Sequence, residues 1–170
     1  SSASGWWATT RPSASSSTAG STSCTCRRRC RARKSLIRRG LAAFSAANLL
    51  YGAYDLSLTP SATRWGERNL ILSTPIIEWF TEGFVPEPLR RHPDVSPLYA
   101  DLAGLPSALL TVGTQDSLLD DSMYLYARWI AAGNAAQLSV WPGGAHGFNA
   151  FPIPIAERSN AQIVSFLREA

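Results

Sequence analysis

The chain has 170 residues, 45% of them hydrophobic and 16% charged, enough to bury the core of one globular domain. No apolar run is long enough to span a bilayer and no hydrophobic h-region of a secretory signal is present, which sets aside helical membrane proteins. The net charge of +4 is unevenly placed: residues 1–40 hold nine Lys/Arg and no acid, leaving seven Lys/Arg against twelve Asp/Glu elsewhere, a net of −5. The high isoelectric point therefore belongs to the leading segment, and the remainder reads as an ordinary, mildly acidic domain.

The first forty residues, beginning "SSASGWWATTRPSASSSTAGSTSCTCRRRC", have neither a helical nor a strand period and are crowded with Ser and Thr. Such a composition buries too little apolar surface to offset the entropy of ordering it, so solvated disorder is expected. Sharper readings compete with it. An acid-free, Arg- and Ser-rich leader resembles an organelle transit peptide, and Arg27 to Lys34 suit an anionic surface or nucleic acid. Cys24, Cys26 and Cys30 match no standard zinc spacing. An out-of-frame reading of a GC-rich gene would also accumulate these residue types together. With no cysteine after residue 30, a disulfide-stapled secreted fold is disfavoured and a cytoplasmic setting is the default.

From about residue 41 the pattern changes to alternating strands and helices. "AANLLYGAYDL" (46–56) is an apolar run of buried-strand length. "NLILSTPIIEWFTEGF" (69–84) reads as one or two apolar helices, and His92 in "EPLRRHPDVSP" sits on a polar loop and is taken as inert. "SALLTVG" (107–113) is a second strand, stopped by Gly113. In "SLLDDSMYLYARWIAAG", Leu119, Met123, Tyr126 and Ile130 fall on one helical face, with Asp120 and Asp121 placed to suit the helix dipole and Gly133 as the stop. "AQLSVW" (136–141) is a third strand, ended by Pro142 and Gly143. "IAERSNAQIVSFLREA" closes the chain as a helix with Ile163, Phe166 and Leu167 inward. This order implies an α/β fold with a parallel sheet. Trp79, Phe80, Phe84 and Phe148 suit an acyl pocket, although aromatics more often pack a core.

In an open parallel sheet, reactive groups collect beyond the carboxyl ends of the strands. Asp116 lies three residues past the strand at 107–113, and His146 five past the strand at 136–141, within "WPGGAHGFNAF". On neighbouring strands, roughly 4.8 Å apart, the two side chains reach hydrogen-bond distance. The carboxylate then fixes the imidazole tautomer and leaves the second ring nitrogen free to take a proton from a nucleophile. Glycines 143, 144 and 147 permit the tight path this requires. The bland alternative is a turn aspartate and a solvated histidine.

At these residues the stretch "VSPLYADLAGLPSALLTVGTQDSLLDDSMYLYARWIAAGNAAQLSVWPGGAHGFNAF" resembles the C-terminal part of the hormone-sensitive-lipase-like carboxylesterases, a group of α/β-hydrolases. The likeness runs over about residues 41–170. Its most specific pieces are Asp116, Leu118 and Asp120 in a D-x-L-x-D run and the "HGF" at His146. The resemblance implies a partial parallel sheet flanked by helices, with Asp116 as triad acid and His146 as general base. It implies hydrolysis of a small carboxylic ester through an acyl-enzyme, with no metal or organic cofactor, no nucleic acid and no membrane span. Oligomeric state is left open.

The family's H-G-G-G oxyanion loop and G-x-S-A-G elbow do not occur in these residues. The nearest echo is "SSTAG" (16–20), with Thr18 where the serine belongs and Ser16, Ser17 and Ser21 no better placed. The expectation is a fragment of a hydrolase whose first strand lacks its usual neighbour. Three alternatives stand beside it: a catalytically inactive remnant binding a small ligand or partner chain, a serine peptidase of the same fold, and a basic nucleic-acid binder.

Overall fold

Residues 108–112 are apolar or β-branched on both faces, a composition suited to the middle of a parallel sheet. The computed structural model describes residues 45–169 and places them there. Strand β2 (Ser107–Gln115) is flanked by β1 (Ala46–Leu50) and β3 (Ala136–Ala145), all parallel, in the order β1-β2-β3. Ala108 through Val112 are completely buried. Among the described residues four α-helices accompany the sheet: α1 (Pro60–Arg64), α2 (Thr74–Phe84), α3 (Leu119–Ala131) and α4 (Pro154–Glu169).

The sheet is covered on both faces. Leu138 packs with Tyr54, Ala108, Leu110, Leu125 and Trp129 in the main apolar cluster beneath α3. The next residue along the strand, Ser139, points the opposite way and donates to Gln162 Oε1 of α4 at 2.6 Å. A smaller cluster of Ala62, Ile77 and Leu118 joins α1 and α2 to the start of α3. No helix among the described residues is long and apolar enough to cross a membrane. The expectations for residues 1–40, including the Arg run and the three cysteines, lie outside the described residues.

Several boundaries differ from the sequence expectation, each for a physical reason. The first strand ends at Leu50, not near residue 56, because the chain turns at Tyr51 (φ 31°) and the amides of Tyr54 and Asp55 are taken by a side chain instead of a ladder. The segment 69–84 contains one helix, beginning at Thr74 with Pro75 in its first turn. The inward face of α3 is rotated by about one residue from that expected. Leu118, Ser122, Leu125 and Trp129 are buried, whereas Met123 and Ile130 are exposed. The rotation follows Asp121, whose carboxylate is buried as a hydrogen-bond acceptor and so brings a polar residue inside. In α4, Ile163 is buried as expected but Leu167 is exposed.

Asp121 ties α3 to the turn after β1. It accepts from the amides of Tyr54 at 2.7 Å and Asp55 at 2.9 Å, and from the Thr59 hydroxyl at 2.5 Å. Asp121→Ala strands these donors and is expected to cost about 3 kcal/mol of stability, measured by denaturant unfolding. Burial pushes the Asp121 carboxyl above its ordinary 3.8, against the lowering effect of those three donors and with a smaller push from the Asp55 charge. The folded chain thus holds this proton more tightly than the unfolded chain. Its contribution to stability is full below pH 3.8 and falls as pH rises through the raised folded value. The parent should therefore gain stability relative to Asp121→Asn as pH drops from neutral towards 3.8, and a difference that stays flat contradicts this.

Candidate active site

Both strands that carry the candidate pair run further than their sequence suggests. β2 continues to Gln115 and β3 to Ala145, so Asp116 and His146 are each the first residue beyond a strand. The register explains their meeting. From Ala108↔Ala136 to Gly113↔Trp141 the partners are 28 positions apart, but Gln115 pairs with Ala145, 30 positions away. Two extra residues in β3 form a bulge through Pro142, Gly143 and Gly144. Without it, Asp116 would stand level with Gly144. With it, Asp116 stands level with His146.

The glycines make that bulge possible. Gly143 takes a left-handed φ of 77°, and its amide donates to Thr114 Oγ1 at 2.9 Å. A Cβ on Gly113 would lie 1.9 Å from the carbonyl oxygen of Gly144, so the two backbones approach as only glycines permit. Past His146 a short 3-10 turn (Phe148–Ala150) is pinned to α4, where Asn149 Nδ2 donates to Ser159 Oγ at 2.7 Å and Asn160 Oδ1 at 3.0 Å.

His146 Nδ1 lies 3.1 Å from Asp116 Oδ2 and 3.2 Å from Oδ1. The carboxylate is an acceptor only, so a neutral imidazole here carries its proton on Nδ1 and leaves Nε2 as a base. Asp116 is 1% exposed, and its Oδ1 also accepts from the Leu118 amide at 2.9 Å, which fixes the carboxylate plane. The His146 side chain is by contrast 20% exposed. A buried acid, oriented by a backbone donor, aims a partly exposed base: an arrangement suited to taking a proton from a nucleophile and returning it to a leaving group.

Two features around the pair were not read from the sequence. The ring of Tyr51 meets the imidazole edge-on, with centroids 4.8 Å apart. The loop between α1 and α2 also reaches the site: Arg68 Nη2 donates to Gln115 Oε1 at 2.8 Å, and Ile71 Cδ1 lies 3.8 Å from where a Cβ on Gly147 would be. The only signal for Tyr51 was an aromatic residue followed by glycine at a strand end, and nothing in the pattern marked the loop.

The other candidates fall elsewhere. His92 is exposed and accepts at Nδ1 from the Asp94 amide at 3.2 Å, engaging its own turn. Asp120 accepts from the Ser61 amide at 2.8 Å, a tie between α1 and α3 beyond a helix-dipole role. Of the four aromatics, Phe148 is buried beneath the glycine bulge, while Trp79, Phe80 and Phe84 are 69%, 61% and 72% exposed, contrary to the core expectation. Phe80 and Phe84 border an apolar cavity of about 390 Å³ with Ala53, Leu56, Leu72 and Leu118. Among the described residues no cluster of His, Cys, Asp or Glu is arranged to hold a metal ion.

A doubly covered parallel sheet with an acid and a histidine at adjacent strand ends defines an α/β-hydrolase architecture. The chain belongs to that family: the model described as "alpha/beta hydrolase fold" matches residues 24–150. It is 30% identical over 105 residues to an acetyl-hydrolase of Streptomyces hygroscopicus, covering 61% of this chain and 35% of that protein. It is 41% identical over 76 residues to the esterase LipU of Mycobacterium tuberculosis, covering 44% of this chain and 26% of that protein. A hormone-sensitive lipase from a metagenome library superposes with a TM-score of 0.71 at 29% identity, over 81% of this chain and 48% of the other. The chain thus spans between a quarter and about a third of these curated relatives and about half of that solved structure.

Proposed function

We propose that this chain carries the acid–base half of a carboxylic ester hydrolase, with Asp116 as orienting acid and His146 as general base. The observation that supports this most is the 3.1 Å contact between His146 Nδ1 and the buried Asp116 carboxylate, at the rim where such sheets place their chemistry. Esterase and acetyl-hydrolase are the names borne by its relatives.

In this reading a hydroxyl nucleophile attacks the ester carbonyl carbon and its proton passes to His146 Nε2. Asp116 faces the Nδ1–H and stabilises the imidazolium. The tetrahedral centre collapses as the carbon–alkoxy bond breaks, and Nε2 returns the proton to the departing alkoxide. Water, deprotonated by the same nitrogen, then releases the acid and restores the hydroxyl. No group among the described residues is assigned as the hydroxyl nucleophile or as an oxyanion donor. The apolar cavity beside Leu118 suits the hydrocarbon part of a small ester.

A second reading, a catalytically inactive hydrolase that binds a small ligand or partner chain, is favoured by the lack of any G-x-S-x-G in the 170 residues. Incubation of the purified chain with a short-chain chromogenic ester and an organophosphonate separates the two. Turnover lost in His146→Ala, with a covalent phosphonate adduct, supports the first. Neither turnover nor adduct supports the second.

A further inference from the structure

We propose that Tyr51 is a positioning residue for His146, its ring holding the imidazole in the orientation that keeps Nδ1 on Asp116 and Nε2 turned outward. This rests on the reading of Asp116 and His146 as the acid–base pair, and deepens it.

Tyr51 is the first residue past β1, and its amide still donates to the Thr111 carbonyl at 2.8 Å. Its φ of 31° is one that side-chain-bearing residues rarely adopt, and such a conformation persists only where the surroundings over-determine it. Here they do. The Asp121 carboxylate captures the amides of Tyr54 and Asp55, drawing the turn towards the first turn of α3. The Tyr54 ring closes over Gly52, where a Cβ would come within 2.6 Å of ring carbons, so that a side chain there has to displace the ring. The turn is therefore held from two sides, and what it delivers is the Tyr51 ring.

That ring meets His146 at a centroid distance of 4.8 Å and an interplanar angle of 64°, and lies 6.4 Å from the Phe148 ring. Asp116 holds one edge of the imidazole through Nδ1, while Tyr51 packs against the ring from β1, on the far side of β2. Rotation of the imidazole away from the carboxylate has to break the aromatic contact as well as the hydrogen bond. Three adjacent strand ends thus contribute one group each: Tyr51 from β1, Asp116 from β2 and His146 from β3. Burial and the Asp116 charge both raise the Tyr51 phenol above its ordinary 10.0, so the ring stays neutral beside the carboxylate.

Proton NMR of the full chain with labelled histidine tests this. The Nδ1–H of His146, shared with a carboxylate, is expected as a low-field resonance, identified by its disappearance in His146→Ala. Tyr51→Phe keeps the ring and should keep the resonance. Tyr51→Asn removes the ring while tolerating the left-handed backbone, and Tyr51→Leu removes it while staying apolar; both should lose the resonance to exchange with water. In the unsubstituted chain, cross-relaxation between the Tyr51 and His146 ring protons is expected.

The proposal is overturned if the resonance survives in both ring-less variants, if it is lost in Tyr51→Phe, or if the cross-relaxation is absent. It is equally overturned if both ring-less variants lose their native amide spectrum, which would make Tyr51 a folding residue. A missing resonance in the unsubstituted chain overturns the Asp116–His146 pair itself, which distinguishes that failure from failure of the role of Tyr51 alone.

Discussion

Asp116→Asn is expected, on the proposed acid–base role, to lower any turnover of a short-chain ester by about 10⁴-fold while the chain stays folded. The size of the loss follows from how the carboxamide must sit. Asp116 Oδ1 accepts from the Leu118 amide at 2.9 Å, so the amide oxygen of an asparagine takes that place. Its NH₂ group then occupies the position of Oδ2, 3.1 Å from His146 Nδ1, and presents a donor there. To avoid two donors facing each other, the imidazole moves its proton to Nε2. The nitrogen that should take a proton from the nucleophile then already carries one. Steady-state kinetics should show the fall in kcat with little change in KM, and a thermal melt close to the parent's would separate this from unfolding. A rate within tenfold of the parent's would remove Asp116 from the mechanism.

Gly113→Ala is expected to be the most damaging single-methyl change in the described residues. A Cβ at that position meets three backbone atoms of Gly144, the oxygen at 1.9 Å, the carbonyl carbon at 2.3 Å and the Cα at 2.7 Å. None of these is the tip of a flexible side chain that can swing away. Either β2 and β3 separate or the bulge re-forms, and in both cases His146 loses its level with Asp116. A destabilisation of about 3 kcal/mol or more is expected by denaturant unfolding, together with loss of any His146-dependent activity. Gly83→Ala supplies the control: it lies in α2, nothing stands within 4 Å of its Cβ, and it should stabilise the chain by about 0.5 kcal/mol. Equal effects from the two substitutions would show that close backbone approach is not what Gly113 provides.

The sequence carried the architecture because the signals involved are local. A run of apolar and β-branched residues at 108–112 marks a strand buried on both faces, and Gly133 marks where a helix stops. It also carried the meeting of Asp116 and His146, since both follow strands that the alternating order makes neighbours. What it hid depends on contacts between distant residues. Pro142 and Gly143 read as the end of a strand, yet the sheet resumes beyond them, because a hydrogen bond from Gly143 to Thr114 and a backbone approach at Gly113 absorb two extra residues. Asp121 reads as a surface charge suited to a helix dipole, yet its donors lie more than sixty residues away at Tyr54, Asp55 and Thr59. Its burial turns α3 by a residue and so misleads any face drawn from hydrophobic spacing. Tyr51 reads as part of a strand because it lies within the apolar run 46–56, and its amide does still pair, but its positive φ shows that the chain turns there.

The three strand ends are each tied to a neighbouring helix. Asp116 begins the connection into α3, His146 leads into a turn bonded to α4, and Tyr51 leads into a turn bonded to Asp121 of α3. Each group is thus braced by an element other than the strand that presents it.

Chemical rescue tests the central claim most directly. If His146 is the general base, ester turnover by the full chain falls in His146→Ala and rises again in proportion to imidazole added to the solution, while a non-basic ring of the same size restores nothing. Turnover undiminished in His146→Ala, or diminished and indifferent to added imidazole, would contradict the account.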